Sequence, residues 1–209
     1  MEESVNTALL STEFLLTEFN ALQDRAISLE EIKANRLNFF LLVVGVVVAG
    51  LSSLYGKSSF SSLYMTSVFV SAFVIFLLGI LTLKNSVDYS IAIVSFYRKA
   101  GRIRRWFVEN DPGIDKYVAF EPTDDRPKMK LSATFLAWRG GEPVLVVINM
   151  VSASVLVGAG LSLFCRDVNP WMGMTLVAPI VWFLQNFYIS RRLEKQESLG
   201  KIFFPSSNR

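Results

Sequence analysis

The sequence predicts an all-α integral membrane protein: four transmembrane helices, a long N-terminal amphipathic helix, and a cytoplasmic insert between spans 2 and 3. Three observations predict it. The stretch Leu37–Leu54, LNFFLLVVGVVVAGLSSL, is the first of four apolar runs, and no charge falls between Leu37 and Gly56. About 20 such residues, rising 1.5 Å each in a helix, cross the ~30 Å hydrocarbon core of a bilayer. Hydrophobic residues make up 52% of the 209, and mean hydropathy is +0.40, which suits a small polytopic membrane protein better than a soluble domain. The cationic residues are also unevenly distributed around the runs, as topology requires.

Residues 1–36 form the first element. Val5, Ala8, Thr12, Leu15, Phe19, Leu22, Ala26 and Leu29 recur at alternating three- and four-residue steps, a heptad seam of the kind helices pack through. Leu15, Phe19, Leu22 and Leu29 are its large members and the candidates for oligomerisation and gating. No Pro or Gly precedes Phe40, so this helix is expected to run into the first span. Two readings stay open: a helix lying on its own membrane domain or on the bilayer surface, and an oligomerising bundle. Met1–Asn6 is acidic and polar and does not open a signal peptide, so the first span is expected to act as its own insertion signal.

Residues 37–83 form transmembrane hairpin 1, with a serine-rich turn after Tyr55-Gly56 and a second span at about Leu63–Leu83. Helical spacing continues through Val87, Ile91 and Val94. Residues 84–142 are the basic segment between spans. Arg98, Lys99, Arg102, Arg104 and Arg105 form a cluster, and Asn110-Asp111-Pro112-Gly113 is a turn that ends the helix. The acidic pair Asp124-Asp125 falls in a proline-containing stretch that reads as a solvated loop. Leu131–Trp138 reads as a short helix against the membrane, Trp138 its interfacial anchor.

Residues 143–190 form transmembrane hairpin 2. Its first span is about Pro143–Phe164 and its second about Met172–Ile189, with a kink expected at Pro179. Residues 191–209 are a tail, polar apart from Ile202-Phe203-Phe204, in which Arg191, Arg192 and Lys195 stop transfer.

Orientation follows from the 21 Lys and Arg residues. Three lie before the first span, eleven in the 84–142 segment and five in the tail, against one in each short loop, Lys57 and Arg166. Both termini and the middle segment are therefore expected in the cytoplasm, with the protein in the inner membrane.

No catalytic constellation is visible, and no enzyme, cofactor or metal is expected. The chain has no His, which removes the classical nucleophile–His–acid triad and the commonest metal ligand. Its one cysteine, Cys165, reads as structural. The spans carry no Asp, Glu, Lys or Arg, which argues against proton relays and voltage sensors. Their polarity is milder: Asn149, Ser152, Ser154 and Ser162 in the third span, Gln185 and Asn186 in the fourth. Such residues serve as interhelical hydrogen-bonding groups or as pore lining, with Asn149, Ser152, Gln185 and Asn186 the pore candidates. Gly45, Ala49 and Ser53, like Ser154, Gly158 and Ser162, form rows that let helices approach closely. Arg98, Arg102 and Arg105 fall on one helical face, which fits either an anionic ligand or lipid, or topogenic charge.

The pattern Thr17-Glu18-Phe19-xx-Leu22-xx-Arg25 leads directly into a first span, then a hairpin, a cytoplasmic insert and a second hairpin. This arrangement resembles small bacterial four-span membrane effectors of anti-phage defence, such as the Hailong and Kiwa membrane components and SLATT-type effectors. The resemblance implies a homo-oligomer, with a tetramer favoured, that opens a pore or disrupts the bilayer. Its partners would be a nucleotide or oligonucleotide signal, or a cytoplasmic sensor protein. The competing expectation is a non-conducting scaffold that recruits a cytoplasmic partner through residues 84–142.

Overall fold

The computed structural model describes residues 2–58, 62–129, 141–165 and 169–205. All regular structure among them is helical, in the order α1 (Glu2–Ser58), α2 (Ser62–Asn110), a short 3₁₀ turn (Pro112–Tyr117), α3 (Glu142–Phe164) and α4 (Pro170–Leu199). Each of the four helices contains a window long and apolar enough to cross a membrane, which marks a multi-pass membrane protein. The short helix expected at Leu131–Trp138 lies outside the described residues.

Helix continuity follows from the distribution of breakers. With neither Pro nor Gly before Gly45, α1 is one helix from Glu2 through the first apolar run. α2 likewise passes the expected membrane exit at Lys84 and ends at Asn110, as the Asn-Asp-Pro-Gly turn dictates. Asn110 Nδ2 donates to the Trp106 carbonyl, and Asp111 Oδ1 accepts the Gly113 N–H to start the 3₁₀ turn. α3 begins one residue before the expected Pro143, which occupies its first turn. α4 carries Pro179 in its interior and continues past the apolar run to Leu199, so Arg191, Arg192 and Lys195 are helical residues.

The chain divides into two units: Lys33–Asp88 with Ala133–Arg192, and Met1–Ile32 with Tyr89–Ser132 and Leu193–Arg209. In the first, Phe40 of α1, Ile75 and Leu83 of α2, and Leu145 and Val146 of α3 form the core, with Trp182 and Ile189 of α4 packed against it. α3 is the innermost helix. Of its apolar window 39% is buried, against 6% for α1 and α4. In lipid, apolar burial between helices adds little driving force, so close packing and interhelical polar contacts carry the association. Hydroxyls in the apolar stretches are satisfied locally: Ser52, Thr66, Ser67, Thr82, Ser154 and Ser162 each donate to the carbonyl four residues back.

Candidate functional site

In the unit built from the ends of the long helices, the sequence singled out a row of arginines. Arg98, Arg102 and Arg105 step by four and three residues along α2, so they share a face. The structure fills that face with the chain's own acceptors. Arg98 is 6% exposed; its Nη2 donates to both oxygens of Glu197 at 2.8 and 2.9 Å, and its Nε to the Pro127 carbonyl at 3.1 Å. Glu197 also accepts the Met129 N–H. Arg102 Nε donates to Asp124 at 2.8 Å, its Nη2 donates to the Lys201 carbonyl, and its guanidinium lies 4.5 Å from the Phe203 ring centre. Arg105 pairs with Glu109 one turn on and lies over Phe204.

Arg104 and Lys99 differ. Arg104 points away from the row and lies between the rings of Phe19 and Phe120, at 5.3 and 5.0 Å. Burial pulls its guanidinium below the usual arginine range. Lys99 is exposed and stands over Phe96.

Asp124 overturns the reading of a solvated acidic loop. It is 1% exposed and accepts the backbone N–H groups of Phe203 and Phe204 as well as Arg102. Burial works to raise its pKa, but those hydrogen bonds and the Arg102 charge outweigh it and hold the carboxyl below the usual carboxylate range. The loop approaches α2 at Gly101, where a methyl group would overlap the Thr123 carbonyl. The row therefore holds a loop and the C-terminal segment against α2 through two carboxylates, Asp124 and Glu197, while Arg105 pairs within α2.

The heptad seam from Leu15 to Leu29 packs within its own unit. Leu22 and Ala26 are 5% and 1% exposed, Leu15, Phe19 and Leu29 are half-buried, and Glu30 accepts a hydrogen bond from Tyr97 of α2. Burial, then the Glu30 hydrogen bond and charge, raises the Tyr97 pKa. Leu10, Phe14, Leu16 and Ile27 flank the seam and are exposed.

In the unit that holds the core, the amides meet inside. Asn149 is fully buried and Gln185 is 9% exposed; Asn149 Nδ2 donates to Gln185 Oε1 at 3.4 Å, a long bond between α3 and α4. Asn149 Oδ1 and Gln185 Nε2 have no hydrogen-bond partner. Asn149 fits against α2 because residue 79 is glycine, where a side chain would collide with Oδ1. Ser152 lies on the same inner face, 8% exposed. Of the other candidates, Ser154, Ser162 and Asn186 bond to their own helices and tie no helices together.

Sequence reasoning missed what lies about two turns above. Glu142, in the first turn of α3, is 8% exposed; Lys33 Nζ of α1 sits 2.6 Å from its Oε1, and Ser86 Oγ of α2 donates to the same oxygen at 3.0 Å. Arg192 of α4 pairs with Asp88 of α2 at 3.2 Å. Each helix thus contributes one partner to these two ion pairs. The signal that pointed there was the positive-inside count, which treats Lys33 as topogenic and gives Glu142 no role.

Compared with protein-family models, curated proteins and solved structures, the chain matches none.

Proposed function

We propose that this chain is the pore-forming or membrane-disrupting effector of a bacterial anti-phage defence system, working as a homo-oligomer in the inner membrane and gated by a cytoplasmic signal. The observation that carries this reading is the half-satisfied pair Asn149–Gln185 inside an otherwise apolar bundle. A buried amide with an unmet hydrogen bond costs free energy, and water or an ion in a polar path would meet it. The face Gly45, Ala49, Ser53 is exposed, and among the described residues no neighbouring segment comes within 4 Å of a Cβ built at Gly45, which leaves room for a second copy. Both termini and the arginine row face the cytoplasm in this reading. A tetramer and the defence role rest on the architectural resemblance.

A nucleotide or oligonucleotide signal would reach Arg98 or Arg102 by exchanging with Glu197 or Asp124. The second reading, a scaffold for a cytoplasmic partner, is favoured by the exposed Tyr117 and Phe120 beside the arginine-held loop, at 78% and 67%. Flux measurements on purified protein in liposomes separate the two. The effector reading expects dye or ion release that falls when Asn149 and Gln185 are both changed to Leu, with insertion and oligomer state intact. Absence of release under every condition, at normal insertion, leaves the scaffold.

A further inference from the structure

Glu142, Asn149 and Ser152 lie seven and three residues apart on α3, all on its inward face and all at least nine-tenths buried. At 1.5 Å per residue this file reaches about 15 Å into the bundle, roughly half the hydrocarbon thickness. Beyond Ser152 the buried residues of the helix are small, Ala153, Gly158 and Ala159, with Gly158 covered by Met174 of α4. The file therefore begins at a carboxylate, passes an amide with an open acceptor, and ends at a hydroxyl.

We propose that this file is an entry path for a monovalent cation, that Glu142 determines its charge selectivity, and that Lys33 is the tethered cation that occupies it at rest. The Lys33 ammonium stands 2.6 Å from Oε1, where an incoming cation would stand, and Ser86 supplies a further oxygen at that point. Asn149 Oδ1, fully buried and without a hydrogen-bond partner, is the next oxygen inward. Oxygen ligands of this kind suit hard cations, the single tethered ammonium shows that one positive charge is accommodated there, and a carboxylate at a pore entrance favours cations over anions. The inference rests on the pore reading above and specifies its ion class.

The test uses the full chain in phosphatidylethanolamine–phosphatidylglycerol vesicles, with potassium and chloride as probes. Lys33→Met removes the tethered cation. It is expected to raise potassium flux over the native chain, with potassium favoured over chloride. Adding Glu142→Gln to Lys33→Met restores neutrality, and the preference should fall toward unity. Equal potassium-to-chloride ratios in the two variants overturn the assignment of Glu142 and leave a pore standing. Where Lys33→Met fails to insert, Glu142→Gln is compared with the native chain, and an unchanged ratio overturns the assignment in the same way. Absence of flux from every inserted variant overturns the pore reading and the inference with it.

Discussion

Asp124 and Phe204 are closed on each other in both directions: the Asp124 carboxylate accepts the Phe204 N–H at 2.8 Å, and the Phe204 carbonyl accepts the Asp124 N–H at 3.2 Å. With Phe203 and Arg102 on the same carboxylate, one side chain secures the C-terminal segment.

Asp124→Asn keeps the shape and removes the charge. It leaves Arg102 without its ion pair and forces the amide to present a donor toward backbone N–H groups. The expected loss is about 1–3 kcal/mol from this unit, as for buried donors left unsatisfied. Trypsin cleavage at Lys201 reads it directly and should accelerate in the variant while insertion is unchanged. Cleavage at the native rate would show that the carboxylate does not hold the segment.

The same carboxyl sets a pH dependence. Its pKa in the folded chain lies below the unfolded value, so its contribution is complete above the usual carboxylate range and is lost as pH falls through the lower folded value. The Phe203 and Phe204 amide resonances should therefore hold their docked positions down through the usual carboxylate range and shift only in stronger acid. A midpoint at or above that range contradicts the assignment.

The seam supplies a stability contrast. Leu22→Ala removes a side chain that is 5% exposed and should cost about 2–5 kcal/mol, whereas Phe14→Ala, at 68% exposed, should stay within about 0.5 kcal/mol. Thermal unfolding in detergent measures both. Native gels on the pair, and on Phe19→Asp with Leu22→Asp, report whether this seam also joins copies. Lower stability with an unchanged oligomer assigns it to packing within the chain.

Topology is tested by cysteine labelling in a Cys165→Ser background. A cysteine at Ser59, which lies outside the described residues, should react with an impermeant reagent from outside the cell. Asp124 is too buried to serve as the inside reporter; Tyr117, 78% exposed, is suited to it and should react only after permeabilisation. The reverse pattern rules out cytoplasmic termini.

What was legible in the sequence tracks how local each cause is. The four apolar helices follow from runs of side chains that water rejects, and the end of α2 follows from Asn110–Gly113, so both are read from neighbours in the chain. α4 runs past its expected end because hydropathy marks where a helix leaves lipid, and nothing between Arg191 and Leu199 breaks a helix in water. The cluster at Arg98–Arg105 was visible, but its partners were not: Asp124 and Glu197 lie far along the chain, and no periodicity links them to α2. Asp124 was misread because an acidic residue between prolines has the composition of a solvated loop, and only the returning Phe203-Phe204 backbone changes that.

The Lys33–Glu142 pair has a consequence for synthesis. The two residues leave the ribosome more than a hundred positions apart, so the first hairpin is made and inserted while the Lys33 ammonium has no carboxylate from α3. Burying it alone would cost several kcal/mol, which holds that end of α1 in water until α3 arrives. Neutralisation of Lys33 by Glu142 therefore waits for the synthesis of α3.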